Sequence, residues 1–273
     1  MENDEPPQQD SPLLKQIDTH HTHREVELLE TLRSLGGSAR TAALAEALNV
    51  SEETVRRTVK ALAKADLVQR VHGGVYLTNV DAYAPVHSRL NRNAAEKMRI
   101  ANSAAAMIPN GASVFLDVGS TTTYLAERLK DHRNLTVVTN AINAAQALVG
   151  RNHNQVFLAG GEMREAEFGT FGPETAAYIA RFNIDIAVLS VDGVDAQAGF
   201  LLAGSAEADL ARSVAAQARR VIVVADQSKF GQGAPMVAFP AEQADVLITD
   251  SALRPPFQHS LDAWQVEVVL AGA

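Results

Sequence analysis

Ser113-Val114-Phe115-Leu116-Asp117-Val118-Gly119-Ser120-Thr121-Thr122-Thr123 is the stretch on which the fold turns. A short apolar run over 113–118 closes on glycine and a string of hydroxyl side chains. Apolar runs of this length, bounded by turn residues, read as strands buried on both faces. The same pattern recurs at 135–139, 155–159, 185–191, 221–225, 246–249 and 266–270. Helical segments lie between most of them, at 122–130, 141–149, 175–181 and 206–219. Such alternation predicts an α/β domain with a mostly parallel sheet.

In open α/β sheets, ligands bind outside the carboxyl ends of the strands. Here those ends carry Asp117 and the Gly119–Thr123 loop, then Thr139 and Asn140, then Gly160 and Gly161. Asp192, Gly193 and Asp195 follow the fourth strand, and Asp226 through Lys229 the fifth. Gly119 lets the backbone approach a ligand. The hydroxyls of Ser120, Thr121 and Thr122, with the free amides of the helix that follows, favour an anion, and phosphate is the obvious candidate. Lys229 supplies a balancing charge. A capped strand-helix turn accounts for the same loop without any ligand. Neither a GxxxxGK[ST] nor a GxGxxG pattern is present, so ATP, GTP and NAD are not expected, and no cofactor is implied. Asp117, Asp192, Asp195 and Glu207 are placed to accept the hydroxyls of a polyol, or to exchange protons with an aldose or ketose. Arg164, just past the Gly160-Gly161 turn, can reach an anion, although a surface arginine reads the same way. Asp185 and Asp226 are equally well explained as strand-end caps.

Before this domain the period changes. Val26, Leu29, Leu32 and Leu35 recur every third residue from Arg24 onward, and Gly36-Gly37 ends that helix. A second helix over 41–48 places Leu44, Ala45 and Leu48 on one face, and Asn49-Val50 forms a tight turn. Ser51 is a good N-cap for a third helix that runs to Lys64 and buries Val55, Val59 and Leu62. Glu52 and Glu53 sit at its positive end. Two short strands, 67–70 and 74–77, follow, joined at His72-Gly73-Gly74. Two helices across a turn and then a hairpin make a winged helix-turn-helix. From Thr54 to Gly73 there are five basic residues, Arg56, Arg57, Lys60, Lys64 and Arg70, against Asp66 alone, a local charge of +4. Arg56, Arg57 and Lys60 share a helical face opposite the apolar stripe. A face of that kind enters a major groove, where arginine pairs with guanine edges or phosphates. The expected contacts to double-stranded DNA are Ser51, Thr54, Arg56, Arg57, Lys60, Arg70, His72 and Gly73.

Length and composition set the frame. The 273 residues are 47% hydrophobic and 21% charged, which suits a globular chain of two domains and excludes a disordered chain, a collagen or a coiled-coil rod. With no cysteine, disulfides, thiolate metal sites and thiol catalysis are excluded. The start, 1–10, is acidic and Pro/Gln-rich, unlike a secretory signal. No run approaches the ~20 apolar residues of a membrane helix, so a cytoplasmic protein with no membrane partner is expected. The formal net charge of −8 argues against nucleic acid as a global partner, which makes the local +4 conspicuous. At 5%, aromatic residues offer little for stacking single-stranded nucleic acid. The division reads as a tail over 1–23, a DNA-binding domain over 24–77, a polar linker over 78–93 and a sensor domain over 94–273, opened by a helix over 94–108. His20, His21 and His23 cluster in the tail. No fourth ligand is fixed near them, so a solvated tail rather than a metal site is expected.

Val50-Ser51-Glu52-Glu53-Thr54-Val55-Arg56-Arg57 and Leu67-Val68-Gln69-Arg70-Val71-His72-Gly73-Gly74 resemble the DNA-binding domain of DeoR-family bacterial regulators. Downstream, Asp117 to Thr122, Thr139-Asn140, Gly160-Gly161-Glu162, Ser190 to Gly193, Ala206-Glu207-Ala208 and Ala225 to Phe230 match the family's sensor domain in order. The resemblance implies a sensor similar to ribose-5-phosphate isomerase and glucosamine-6-phosphate deaminase folds. It implies a homodimeric or homotetrameric repressor of a sugar-catabolism operon, released from its operator by a phosphorylated sugar or polyol. The sequence does not name the effector, which is left open among sugar phosphates, polyol phosphates, glycerol phosphate and sulfo-sugars. Carried over, Gly119–Thr123 holds the phosphate with help from Lys229, while Asp117, Thr139, Asn140, Gly161, Asp192 and Glu207 line the sugar. The family commonly has Asp directly after the two arginines, where this chain has Thr58, a departure that bears on which operator is read. No Lys or Arg lies between Asp195 and Glu207, where the related isomerases place a lysine. The alternative, an isomerase-like enzyme with an appended DNA-binding module, is weakened accordingly. So is a ligand-free architectural protein, by the polar strand ends.

Overall fold

The computed structural model describes residues 22–34, 38–64, 67–71, 74–77, 86–165 and 167–272. It falls into two compact units that divide between Thr78 and Asn79.

The first unit opens on helix α1 (His23–Ser34). Thr22 and Glu25 cap it reciprocally: the Thr22 amide donates to Glu25 Oε2 at 2.7 Å and the Glu25 amide to Thr22 Oγ1 at 3.4 Å. Thr22 and His23 therefore start the helix rather than end the expected tail. The rest of that tail, with His20 and His21, lies outside the described residues. Strand β1 (Ser38–Arg40) leads into α2 (Thr41–Ala47), and α3 (Glu52–Lys64) follows. Between the helices Asn49 takes φ +51°, a left-handed turn that asparagine tolerates. Ser51 caps α3, its Oγ accepting the Thr54 amide at 3.2 Å. Leu28, Leu29 and Leu32 of α1 meet Leu44, Val55, Val59 and Leu62 in a buried core. Strands β2 (Val68–Val71) and β3 (Gly74–Leu77) form the expected hairpin, and β1 joins it in the order β1-β3-β2. That third strand was not legible in a three-residue stretch beside Gly36-Gly37. Leu35, His72 and Gly73 lie outside the described residues.

The second unit begins with α4 (Val86–Leu90) and α5 (Ala94–Ala106). The expected 78–93 linker therefore needs correcting, because its second half is a short helix and the turn that feeds α5. Its first half, 78–85, lies outside the described residues. All seven expected strands are present, with ends shifted by no more than two residues: β4 (Ser113–Leu116), β5 (Thr136–Thr139), β6 (Gln155–Leu158), β9 (Ile186–Ser190), β12 (Arg220–Val224), β14 (Val246–Thr249) and β15 (Glu267–Leu270). They form one parallel sheet, ordered β15-β14-β12-β9-β4-β5-β6. Adjacent residues serve opposite faces. Phe115, Val138, Leu189, Val223 and Leu247 pack into one core layer. Val114, Leu116, Val137, Val188, Ile222 and Ile248 pack into the other. Helices cover both sides, which is why these strands read as continuous apolar runs.

Three features escaped the sequence pattern. They are the β7 (Glu162–Arg164) and β8 (Gly169–Phe171) hairpin, the small antiparallel sheet of β10 (Gly193–Asp195), β11 (Gly199–Leu202) and β13 (Met236–Val237), and the C-terminal helix Pro255–Ala263. The helices Ser120–Arg128 (α6), Ile142–Leu148 (α7), Pro173–Ile179 (α8) and Ser205–Gln217 (α9) fall where expected.

The first strand of this unit lies inside the sheet, between β9 and β5. From β4 the chain moves outward to β5 and β6, then returns to lay β9 on the other side of β4. That reversal leaves a crevice between β4 and β9 at their carboxyl ends. Gly193, just beyond β9, is pressed on the Gln232 carbonyl: a Cβ there would sit 2.1 Å from the oxygen. Gly193→Ala therefore forces backbone apart. We expect it to cost about 1–3 kcal/mol, read as a drop of several degrees in Tm by calorimetry. An unchanged Tm would show that the loop carrying Gln232 yields freely.

Candidate functional site

The first unit presents a cationic surface. Arg56, Arg57 and Lys60 are exposed on α3, opposite its buried Val55, Val59 and Leu62. Arg56 is held by its own helix: Nη2 lies 2.9 Å from Glu52 Oε2, and Nη1 lies 3.6 Å from Glu53 Oε2. Arg57 and Lys60 have no ion partner among the described residues. A hollow on this unit is lined by Arg40, Arg56 and Arg70 together with Glu52 and Gly74. Arg40, at the end of β1, joins this group although its sequence gave no reason to single it out. Thr54 and Ser51 share a hydroxyl contact of 2.9 Å at the helix start. Thr58, where the family commonly has Asp, is 9% exposed and donates to the Thr54 carbonyl at 3.0 Å, so its hydroxyl is engaged within α3.

In the second unit, the β4/β9 crevice holds a small acidic cavity. Asp117 braces it: its Oδ2 accepts both the Ser190 amide, at 2.6 Å, and the Ser190 hydroxyl, at 3.0 Å. Asp117 Oδ1 and Asn140 Oδ1, both at the cavity, are buried without a hydrogen-bond partner. Asp192 and Glu167 share one cation: Arg89 Nη1 lies 3.2 Å from Asp192 Oδ1, and Nη2 lies 2.9 Å from Glu167 Oε2. These side chains are 11% (Arg89), 14% (Glu167) and 6% (Asp192) exposed, so the cluster is no solvated surface pair. Asp192 Oδ2 also accepts the Ala203 amide at 2.9 Å. Glu207, in the first turn of α9, completes the acidic wall. As it stands the cavity measures about 30 Å³, enough for a water or two.

Burial governs the titration here. It raises Asp117 to about 7, against the two Ser190 hydrogen bonds that favour the charged form. Burial, reinforced by the carboxylates of Glu167 and Asp192, raises Glu207 to about 8. Glu167 is also raised by burial, against the pull of Arg89.

A second hollow, of about 310 Å³, adjoins the first through Arg89, which lines both. Its other walls are Arg92, Asn93, Lys97, Asp226, Ser228 and Lys229, so among the described residues four cations face one carboxylate. Asp226 is committed, accepting from the Asn93 side-chain amide and the Ser228 backbone amide, each at 3.0 Å. Lys97 is 3% exposed, and its Nζ donates to the Arg89 and Arg92 carbonyls, both at 2.7 Å. Burial lowers Lys97 to about 8 and also lowers Lys229.

Of the residues singled out for an effector, Asp117, Asn140, Asp192 and Glu207 meet at the acidic cavity, and Lys229 lines the basic hollow. The others are not among the residues that line either hollow. Gly119 starts α6 pressed on Ser190, where a Cβ would lie 2.3 Å from its Oγ. Thr122 Oγ1 donates to the carbonyls of Asp117 and Gly119, while Ser120 and Thr121 are buried at the start of α6. Thr139 Oγ1 bonds the Leu116 carbonyl at 2.6 Å and receives the Ala141 amide at 3.0 Å. Gly161 takes φ +146° beneath the Phe171 carbonyl, and Arg164 lies 5.1 Å over the Phe171 ring. Asp195 folds its own hairpin, accepting the amides of Gln197 and Ala198. Sequence reading missed Arg89, Arg92, Asn93, Lys97 and Glu167. The first four lie at or next to the expected linker, and only their density of charge, three cations and an amide within nine residues, marked them.

The raised Glu207 has a consequence for stability. Between its ordinary 4.5 and about 8, the folded protein holds a proton that the unfolded chain releases, so this contribution is lost as pH rises through that window. Glu207→Gln lacks that loss. The Tm of the variant minus that of the wild type should therefore increase from pH 5 to pH 8.5. A difference that stays flat with pH would show that Glu207 is not held neutral.

Residues 24–80 match the family described as the DeoR-like helix-turn-helix domain, and residues 92–251 match the DeoR C terminal sensor domain. The glycerol-3-phosphate regulon repressor of Escherichia coli K12 is 34% identical over 230 residues, 84% of this chain and 91% of that protein. The transcriptional repressor AccR of Agrobacterium fabrum is 35% identical over 233 residues, 85% of this chain and 90% of that protein. Among solved structures, ribose 5-phosphate isomerase A of Methanocaldococcus jannaschii aligns at a TM-score of 0.38 and 16% identity, covering 50% of this chain and 55% of that one. With both of its domains matched in order and relatives aligned along most of its length, the chain belongs to the DeoR family and is a DNA-binding transcriptional regulator rather than an enzyme.

Proposed function

We propose that this regulator represses a carbohydrate-catabolism operon and leaves its operator when a phosphorylated sugar or polyol binds the second unit. The observation that carries this reading is the division of charge. An exposed cationic helix face lies in one unit, and acidic and basic hollows adjoin at the strand carboxyl ends of the other. Relatives named for repression, among them those of the glycerol-3-phosphate regulon and the aga operon, support it.

On DNA, α3 lies in the major groove. Arg57 and Lys60 meet bases or phosphates directly, and Arg56 does so on leaving Glu52. Arg40 and Arg70 flank them. In the second unit, Asp117, Asn140, Asp192 and Glu207 face the hydroxyls of the effector, and Lys229 faces its anionic group. The protein acts as a homodimer or homotetramer in the cytoplasm. No helix among the described residues is long and apolar enough to cross a membrane. A symmetric dimer presents its two recognition helices to half-sites about one helical turn, or a multiple, apart. A ligand shifts this equilibrium only through unequal affinity for the DNA-binding and released forms. Such coupling is typically about 1–3 kcal/mol.

Two measurements test the proposal. Arg56→Ala with Arg57→Ala should abolish specific operator binding in a gel-shift or fluorescence assay. Each phosphate contact removed should lower the salt slope of residual binding by about one. Retention of specific binding would move the DNA contact off α3. A thermal-shift screen of phosphorylated metabolites should then identify an effector that dissociates the operator complex. Lys229→Ala should keep operator binding but blunt that response, and a full response in this variant would place the anionic group elsewhere.

A further inference from the structure

Among the described residues, Arg89 is the one side chain shared by the acidic cavity and the basic hollow. In its present position it neutralises Asp192 and Glu167, yet its Nε is buried without a hydrogen-bond partner. On the other side it borders Arg92, Lys97 and Lys229, cations gathered around a carboxylate, Asp226, already engaged by Asn93 and Ser228. Like charges held this close favour a bound anion. The backbone beneath Arg89 is fixed. Lys97 holds the Arg89 and Arg92 carbonyls, Tyr124 donates to the Leu90 carbonyl at 3.1 Å, and Val86 is buried. The guanidinium can therefore change partners without refolding α4.

We propose that Arg89 is a partner-exchange residue. The anionic group of the effector, seated in the basic hollow, takes over the guanidinium, and the effector's hydroxyls replace it on Asp192 and Glu167. This rests on the reading of the second unit as a site for a phosphorylated sugar or polyol, and it sharpens the ligand class. The ligand must carry an anionic group and hydroxyls within one side-chain length of each other. A neutral sugar fills only the acidic cavity and leaves Arg89 without a partner. Free phosphate fills only the basic hollow.

Inorganic phosphate tests the exchange with no need to know the effector. Its affinity is measured by calorimetric titration on the full chain, for wild type, Glu167→Gln, Arg89→Gln and the double variant. Glu167→Gln removes one of the two carboxylates that compete for Arg89, so phosphate should bind about fivefold tighter or more. The gain should vanish when Arg89→Gln is added, which separates release of Arg89 from a general loss of negative charge. Should Arg89→Gln fail to fold, Arg89→Lys keeps the charge without the fork, and the gain should then shrink rather than vanish. An unchanged affinity in Glu167→Gln, a gain that persists in the double variant, or no phosphate binding in wild type and Glu167→Gln alike would overturn the exchange. The effector class is tested separately by operator release. If phosphate shows the Arg89-dependent gain but no phosphorylated sugar or polyol releases DNA, the class fails and the exchange stands. If such a compound releases DNA without that gain, the exchange fails and the class stands.

Discussion

The second unit depends on a single carboxylate placed where its sheet reverses direction. Where β4 and β9 part, the Ser190 amide has lost its place in the ladder and needs an acceptor. Asp117 provides it, taking the amide and the hydroxyl of Ser190 on one oxygen. The chain then turns at Gly119 so close to Ser190 that no side chain fits there, and α6 begins at once. This brace fixes the floor of the crevice, the start of α6 and the exit of β9 toward Asp192 together. It also desolvates Asp117, which is why a carboxylate with two hydrogen bonds still titrates near 7. Its second oxygen stays unpartnered at the cavity wall.

The architecture was legible because it rests on local pattern. Strands covered on both faces must be apolar at every position, and Val114, Phe115 and Leu116 announce this in three letters. The helix-turn-helix was legible for a similar reason, since Ser51, the acids after it and the Val55/Val59/Leu62 stripe all lie within one helix. The strands that failed to show are only two to four residues long, too short for a period, and some are decided by distant partners. The strand Ser38–Arg40 exists because Gly74–Leu77 is beside it, and Met236–Val237 because Gly199–Leu202 is. The candidate site divides the same way. Asp117, Asn140, Asp192 and Glu207 sit at strand ends or helix starts and could be named from position. Arg89 meets Asp192 across 103 residues and Glu167 across 78, and no spacing rule reaches that far. Several residues that looked like ligands, Thr122 and Thr139 among them, spend their hydroxyls on the carbonyls of the turns they build.

Charge is arranged at two scales. The net −8 belongs to the whole chain, while the α3 face is cationic and only partly neutralised by its own Glu52 and Glu53. Those pairs are exposed and weak, so a DNA phosphate can take Arg56 from them at little cost. The Arg89 cluster is the opposite case. There the charges are buried, and separating them without replacement is costly, about 3–5 kcal/mol for a buried pair broken on one side. The same pairing of opposite charges is therefore readily exchanged in one unit and firmly locked in the other.

That lock determines which ligand can open it. A neutral polyol that enters the acidic cavity must displace a guanidinium, and it returns no charge to either side of the broken pair. The several kcal/mol of that separation exceed the roughly 1 kcal/mol net from each neutral hydrogen bond it would form. A bare anion gains Arg89 but strands Asp192 and Glu167, with Glu207 beside them already pushed toward its neutral form. Only a molecule with both ends replaces every partner it removes. Phosphate takes the arginine with charge-assisted hydrogen bonds, and hydroxyls donate to the carboxylates left behind. Selectivity for a phosphorylated, hydroxyl-bearing ligand then follows from one shared side chain, without requiring the cavity to measure the sugar's shape.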